Sequence, residues 1–254
     1  MNKLFFSCDD EGRMKLNCDL GESFGSWQMG LDAAVMPYID MANIACGFHA
    51  GDADVMAKTL QLAKQHGVAV GAHPSYPDLQ GFGRRSMALS ASEIINTMRY
   101  QIAALDGMAQ SAGVTISYVK PHGALYNDMM ASASVFDAAL DAVAGYYRPL
   151  KLMILATTEQ QHYRDLANAK GVSLLFEAFA DRRYTDDGKL TPRAQPGAVL
   201  HEAEMLAQVS QLVTQGTVTT TSGKALPLSA DTLCVHGDNQ AAIAQVEKIK
   251  ALLA

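Results

Sequence analysis

Short apolar runs alternate regularly with longer helical stretches along the 254 residues of the chain, and this pattern narrows the possible folds to a few. Most of the apolar runs lack polar alternation, as expected of strands that are buried on both faces. About seven β/α units in series favour a parallel sheet, and the chain length suits a closed barrel. We therefore predict a single TIM-like (β/α) barrel whose strands cover residues 14–18, 41–46, 68–72, 116–119, 152–156, 173–179 and 232–235.

The stretches between these runs carry signals for helix starts and stops. Asp52 can cap a helix that runs to residue 66 and stops at Gly67. Ser90 and Glu93 have the spacing of a capping box, and they open a long helix that ends near Gly113. Further helical patterns cover residues 31–39, 134–144, 159–170, 199–215 and 240–253, and a Ser-Gly turn predicts a hairpin of residues 218–221 and 225–228.

These patterns predict one catalytic domain over residues 14–254, preceded by an extension, residues 1–13, that is not part of the fold. The net charge is −6 without basic clusters, which argues against nucleic acid and anionic membrane as partners. No apolar run approaches the roughly 20 residues that span a bilayer. The four cysteines show no metal or disulfide spacing, which favours reduced thiols and a cytoplasmic location.

Polar residues gather directly after the predicted strands. In a parallel barrel these positions meet at one rim, where active sites of this fold lie. Four of the seven histidines are there, although strand ends form only roughly a seventh of the chain. A single residue of this kind often only forms a turn or a cap, but the clustering predicts a site. The predicted set is Asn17, Asp19, Glu22, Asn43, His49, His73, Lys120, His122, Glu177, Asp181, Arg182, His236 and Asp238.

Individual members have alternative explanations. A lysine such as Lys120, at a strand end within an apolar run, is costly to bury unless it is paired or functional. Arg84 and Arg85 follow two glycines and suit a phosphate or carboxylate, although a surface ion pair would also account for them. His73 and His122 adjoin prolines and could instead fix loops. The sequence allows a divalent metal without requiring one; the candidate ligands are Asp19, His49, His73, His122 and His236.

No GxxxxGK[ST] loop occurs, and no GxGxxG opens a helix after a strand, so any nucleotide would bind by other means. Eight segments, among them ANIACGFHAGD at 42–52 and VKPHGALYN at 119–127, together resemble the motifs of the LamB/YcsF family in order and spacing. The others are NCDLGE at 17–22, GAHP at 71–74, GFGRR at 81–85, FADR at 179–182, PR at 192–193 and VHGD at 235–238. One departure is Thr157-Thr158-Glu159, where the family usually has Gly-Ser-Glu.

The resemblance implies a barrel related to the glycoside hydrolase/deacetylase folds and an ATP-dependent 5-oxoprolinase. Its reaction turns 5-oxo-L-proline, ATP and water into L-glutamate, ADP and phosphate, with Mg²⁺ accompanying ATP. Family members form the A component of this enzyme beside partner subunits B and C, and a homo-oligomer is compatible with the sequence. Two alternatives remain open: a metal-dependent deacetylase or amidohydrolase that acts alone, and a non-catalytic subunit that binds 5-oxoproline.

The hypothesis assigns roles to the rim residues. Lys120, with Arg84 or Arg182, would neutralise phosphoryl charge, and a general base would come from the carboxylates and histidines, with His49 and Asp19 first. The predicted catalytic residues are Asp19, His49, His73, Lys120, His122 and His236. The predicted substrate- and phosphate-binding residues are Asn17, Glu22, Asn43, Arg84, Arg85, Glu177, Asp181, Arg182 and Asp238.

Overall fold

The computed structural model describes residues 13–193, 195–235 and 240–253, with residues 240–243 described by backbone alone. Its strands are β1 Lys15–Leu20, β2 Met41–Ala45, β3 Ala69–His73, β4 Ile116–Val119, β5 Lys151–Leu155, β6 Ser173–Phe179, β7 Thr217–Thr219, β8 Ala225–Pro227 and β9 Thr232–Val235. The seven predicted barrel strands are all present and pair in parallel. They close in the order β1–β2–β3–β4–β5–β6–β9, with β9 against β1. The predicted hairpin is also present as the antiparallel pair β7–β8.

Helices surround the barrel and connect its strands. In the described part of the chain they are α1 Asp32–Val35, α2 Ala53–His66, α3 Ala91–Ala112, α4 Gly123–Ala131, α5 Ala133–Ala144, α6 Gln160–Ala169, α7 Glu202–Gln215 and α8 Gln240–Leu253. Within these residues, no helix is long and apolar enough to cross a membrane.

The predicted caps are confirmed. The Asp52 side chain accepts a hydrogen bond from Val55 N at 2.9 Å, which satisfies an amide at the start of α2. Ser90 and Glu93 form both hydrogen bonds of the capping box at the start of α3. Gly67 and Gly113 end these two helices in the left-handed conformation that glycine adopts without steric cost.

The helices differ from the predictions mainly in three places. The predicted helix 31–39 splits into α1 and a 3-10 turn, Met36–Tyr38, where Pro37 lacks the amide hydrogen that a continuing α-helix needs. The predicted helix 199–215 begins only at Glu202. Helix α4 was not predicted, because it is short, opens on Gly123 and has no side-chain cap at His122.

The barrel places the carboxyl ends of its seven strands at one rim. The core on the outside of the barrel is apolar, and α3 contributes Ile94, Met98, Ile102 and Leu105 to it, as its periodicity predicted. The described residues begin at Arg13, whose guanidinium pairs with Asp40 at 2.8 Å. Residues 1–12 lie outside the described residues, so the boundary after residue 13 stays a prediction.

Candidate active site

A buried lysine lies between two carboxylates inside the barrel. Lys120 Nζ is 2.8 Å from Asp19 Oδ1 and 2.7 Å from Glu177 Oε1, and the lysine is only 2% exposed. Burial alone would lower the pKa of Lys120, but neighbouring acidic groups, Asp19 foremost, raise it well above its usual value. The lysine is therefore an ammonium ion that balances two carboxylates, as a buried charge requires.

Two asparagines connect this cluster to the barrel wall. Asn43 Nδ2 donates to Asp19 Oδ1 at 2.8 Å and to Asn17 Oδ1 at 2.7 Å. Tyr118 OH donates to Asn43 Oδ1 at 2.7 Å, and Asn17 Nδ2 donates to Thr232 Oγ1 at 2.9 Å. Since one oxygen of Asp19 is held by the ammonium and by an amide, the orientation of this carboxylate is fixed from behind.

The histidine that ends β3 and the one that follows β4 meet at the same rim. His73 Nδ1 lies 2.7 Å from the carbonyl oxygen of Lys120, and His122 Nε2 lies 2.9 Å from that of Phe82. A carbonyl oxygen only accepts hydrogen bonds, so both of these nitrogens carry hydrogens. The remaining nitrogens, His73 Nε2 and His122 Nδ1, face each other at 2.9 Å.

His49 and Glu22 complete this group. The rings of His49 and His122 are stacked, with centroids 3.7 Å apart and planes within 5°. Glu22 Oε1 lies 3.5 Å from His49 Nε2 and 3.6 Å from His122 Nδ1. Burial lowers the pKa of both His49 and His122 well below the usual value for histidine. Ligand atoms of Glu22, His49, His73 and His122 all lie within 4.8 Å of one another, a spacing that could hold a metal ion.

These groups border a cavity of about 510 Å³ at the mouth of the barrel. Its wall includes the carboxylates of Asp19 and Glu22 and the rings of His73 and His122. Five cationic side chains also line it: Arg84, Lys120, Arg182, Lys189 and Arg193. Small ligand sites typically have this concave form with a few convergent polar groups. The excess of cations over carboxylates suits a small anionic ligand.

The structure brings together many of the predicted site residues, but at different depths. Asp19, Glu22, His73, Arg84, Lys120, His122 and Arg182 line the cavity. A second group is buried and is not among the lining residues: Asn17, Asn43, His49 and Glu177. Asp181 is half-buried and does not line the cavity. The predicted residues His236 and Asp238 lie outside the described residues.

Arg85 is held away from the cavity by an ion pair with Asp78, which also accepts hydrogen bonds from the amides of Gly81 and Arg85. The alternative explanation of the two adjacent arginines, a surface ion pair, therefore applies to Arg85. Arg85 fixes the loop, whereas Arg84 reaches the cavity. At Gly81 a Cβ would come too close to the carboxylate of Asp78, so the tight loop depends on glycine there.

Sequence reasoning missed three lining residues with useful chemistry. Lys189 and Arg193 belong to the loop that follows Arg182, and Tyr126 belongs to the unpredicted helix α4. The signal for the loop was present in its charge and its Gly and Pro content. A long irregular loop of this kind often carries function in a compact domain. Its path back over the barrel mouth depends on contacts such as the Arg182 Nη2 hydrogen bond to Thr191 O at 2.6 Å, which no local pattern reveals.

The cysteines near the rim are poor nucleophiles. Burial raises the pKa of Cys46 to about 12, and it raises the pKa of Cys234 well above its usual value. Cys18, Cys46 and Cys234, the three cysteines in the described part of the chain, are buried and form no disulfide there.

A protein-family model described as the LamB/YcsF family matches residues 14–254. The chain belongs to the LamB/YcsF family. Most of the sequence motifs that resemble this family contribute residues to the wall of the cavity.

Several proteins are similar to this chain in sequence or structure. A relative from Vibrio cholerae serotype O1, named as the A subunit of 5-oxoprolinase, is 56% identical over 241 residues, covering 94% of this chain and 97% of its own. One of the same name from Pseudomonas fluorescens is 54% identical over 242 residues, covering 95% and 97%. The crystal structure of a lactam utilization protein from Thermus thermophilus has a TM-score of 0.85 at 38% identity and covers 94% and 95% of the two chains. The barrel prediction is confirmed by this likeness.

Proposed function

We propose that this chain is a subunit of an ATP-dependent 5-oxoprolinase, in which it opens the lactam ring of 5-oxo-L-proline to form L-glutamate. The proposal includes partner subunits B and C and the conversion of ATP, with Mg²⁺, to ADP and phosphate. It is supported by relatives at 54–56% identity that are named as the A subunit of 5-oxoprolinase. It is supported as well by the cation-rich cavity, which suits a small carboxylate and its phosphorylated form.

The chemistry explains why ATP is needed. A five-membered lactam is a stable amide, and its carbonyl carbon is a poor electrophile. Transfer of the terminal phosphoryl group of ATP to the lactam oxygen would activate that carbon and release ADP. Water then adds to the carbon, the carbon–nitrogen bond breaks as the nitrogen takes a proton, and a second water releases phosphate from the resulting acyl phosphate.

Asp19 is the residue to which we assign the proton transfers. Its Oδ1 is held by Lys120 and Asn43, and Asp19 also lines the cavity. A carboxylate is a weak base, but phosphorylation of the lactam makes a weak base sufficient. Asp19 would take a proton from the attacking water and return it to the departing ring nitrogen. This fixed carboxylate at the cavity wall is the single observation that carries the assignment.

The cationic side chains have a separate task. Lys120 offsets the negative charge of two carboxylates, so that an anion can approach Asp19. Arg84, Arg182 and Arg193 present guanidinium groups to the cavity, and guanidinium suits carboxylate and phosphoryl oxygens. These groups would bind the substrate carboxylate and the phosphoryl group, and they would stabilise negative charge as it develops.

A reconstitution experiment tests the proposal. Glutamate and ADP are quantified after incubation of 5-oxoproline and ATP with this chain alone, with subunits B and C alone, and with all three. Glutamate formed only by the complete mixture supports the proposal. Glutamate formed by subunits B and C alone would assign ring opening to them. If the complete mixture forms no glutamate, the oxoprolinase assignment is wrong for this chain.

Two lysines provide a matched pair of variants for this assay. Lys189 lines the cavity and pairs with Asp187 at 2.9 Å, whereas Lys224 pairs with Asp186 at 2.8 Å and is not a lining residue. Both side chains are largely exposed, so neither change threatens the fold. Lys189→Gln is expected to raise the KM for 5-oxoproline, and Lys224→Gln is expected to leave it unchanged.

The cluster of Glu22, His49, His73 and His122 favours one second candidate, a metal-dependent amidohydrolase that acts alone. The same reconstitution distinguishes it from the first. Ring opening or amide hydrolysis by this chain without ATP and without partners would favour the second candidate.

A further inference from the structure

The contact between His73 and His122 cannot exist between two neutral imidazoles. Each ring donates one hydrogen to a backbone carbonyl, His73 Nδ1 at 2.7 Å and His122 Nε2 at 2.9 Å. The nitrogens that remain, His73 Nε2 and His122 Nδ1, would both present lone pairs, yet they are 2.9 Å apart. Two lone pairs at this distance repel unless a cation lies between or beside them. The cation is either a shared proton or a metal ion.

The surroundings favour a metal ion. Glu22 Oε1 is 3.6 Å from His122 Nδ1, and Asp19 Oδ2 is 3.4 Å from His73 Nε2, so carboxylates flank both lone pairs. Ligands of a tetrahedral ion with bonds of about 2.1 Å are about 3.4 Å apart, and ligands at right angles are about 3.0 Å apart. The 2.9 Å between His73 Nε2 and His122 Nδ1 and the 3.6 Å between His122 Nδ1 and Glu22 Oε1 are close to these edges of a coordination sphere.

The backbone carbonyls have the role expected around a metal centre. A metal-bound histidine generally donates its other ring hydrogen to a carbonyl or carboxylate, which fixes the tautomer and the ring orientation. His73 and His122 both have this arrangement, and both rings are nearly inaccessible, with residue exposures of 1% and 5%. Gly83 allows its loop to pack against the two histidines, because a Cβ there would be 2.8 Å from His122 Cδ2 and 2.9 Å from His49 Cβ.

His49 supplies an independent observation. It is 1% exposed, and within the described part of the chain neither of its ring nitrogens makes a hydrogen bond. A buried polar group without a partner is costly, so this ring needs a neighbouring group that can accept its hydrogen. Because the ring is stacked on His122, the two rings cannot both direct in-plane lone pairs at one ion. His49 Nε2 instead lies 3.5 Å from Glu22 Oε1, where it can orient that carboxylate.

We propose that His73 Nε2, His122 Nδ1 and the Glu22 carboxylate bind one divalent first-row transition metal ion, with His49 as a positioning residue behind Glu22. Two imidazoles and one carboxylate form a donor set that suits such ions, and three protein ligands leave coordination positions open towards the cavity. All three ligands line that cavity, so the ion would be accessible to substrate. The proposal does not depend on the reaction proposed above, because binding of the ion needs neither substrate nor partner subunits.

The test uses the full chain after removal of any histidine tag, which would bind the same metals. Metal content is measured on the purified protein, and the chelator-treated protein is then titrated with Co²⁺ and with Zn²⁺. We expect one ion per chain, visible absorption from bound Co²⁺ that Zn²⁺ abolishes, and a rise in Tm on binding. A folded protein that binds neither ion would overturn the proposal and leave a shared proton as the explanation of the 2.9 Å contact.

Variants separate the three ligands from their surroundings. Glu22→Gln and His122→Asn are expected to weaken Co²⁺ binding by more than the roughly 10–100-fold that loss of an outer-shell partner costs. His49→Gln is expected to weaken it within that roughly 10–100-fold range. His162→Gln, at an exposed position on α6, is the matched control and is expected to bind Co²⁺ as the wild type does. Circular dichroism verifies that each variant is folded. Stoichiometric Co²⁺ binding that is unchanged by Glu22→Gln and His122→Asn would place the ion elsewhere and refute the assignment.

Discussion

Replacement of Lys120 by methionine is expected to destabilise the barrel by about 3–5 kcal/mol at neutral pH, the usual cost of removing one partner of a buried ion pair. The structure places this lysine near the upper end of that range. Its ammonium lies 2.8 Å from Asp19 and 2.7 Å from Glu177, so one substitution leaves two carboxylates without their counterion. Glu177 is fully buried, so water cannot solvate its carboxylate in place of the lost ammonium group.

The assay is urea unfolding followed by far-UV circular dichroism. A loss of this size corresponds to a fall in Tm of roughly 6–20 °C for a chain of this length. Lys224→Met is the control, because Lys224 pairs with Asp186 at 2.8 Å but is exposed, and such pairs contribute about 0–1 kcal/mol. Equal destabilisation by the two variants, or a loss below about 1 kcal/mol for Lys120→Met, would refute the account of a charge-balanced interior.

The loss of unfolding free energy caused by Lys120→Met should also depend on pH. The wild-type lysine has a raised pKa, so its contribution is complete below the unfolded-state value of about 10.4 and is lost only as pH rises through the higher folded-state value. The difference in unfolding free energy between wild type and variant should therefore be constant from about pH 7 to about pH 10 and shrink only at higher pH. A difference that already shrinks between about pH 7 and about pH 10 would contradict this expectation.

Three further substitutions give distinct outcomes. Gly107→Ala should stabilise α3 by roughly 0.5–1 kcal/mol in urea unfolding, since a Cβ there meets nothing within 4 Å; a loss of stability would count against the helix packing. Gly83→Ala should cost about 1–3 kcal/mol and lower turnover, because its φ is +62° and the added Cβ would press on His122; full activity would show that the loop adapts. Burial raises the pKa of Asp106, but hydrogen bonds from Arg148 and two tyrosines outweigh it, so the pKa is lowered. The contribution of Asp106 to the free energy of unfolding is therefore complete above about pH 4 and is lost below it. Asp106→Asn should therefore be less stable than wild type at neutral pH, with the difference fading in acid, and a pH-independent difference would contradict this.

The strands and their rim were predictable because both follow from local pattern and from the topology of parallel barrels. Apolar runs located all seven barrel strands. The ends of the first and fourth predicted strands placed Asp19 and Lys120 at one rim before any distance was known. Cap signals located α2 and α3 because their hydrogen bonds are made within a few residues of sequence.

The depth of each residue could not be predicted. Arg84 and Arg85 are adjacent in sequence, yet one lines the cavity and the other pairs with Asp78, because the loop turns between them. His49 was a leading candidate for the general base, but its ring is stacked behind His122 and does not line the cavity. Arg193 reaches the cavity through the path of a long loop. Such placements depend on long-range packing, which sequence periodicity does not predict.

The most direct test of the central claim measures single-turnover glutamate formation from 5-oxoproline and ATP by the reconstituted three-subunit enzyme, with Asp19→Asn in this chain. The control is Asp165→Asn, a change at an exposed position on α6. If Asp19 transfers protons during ring opening, Asp19→Asn should slow glutamate formation by about 10²–10⁴-fold while Asp165→Asn remains at the wild-type rate. Wild-type glutamate formation by a folded Asp19→Asn enzyme would contradict the assignment of ring opening to this cavity.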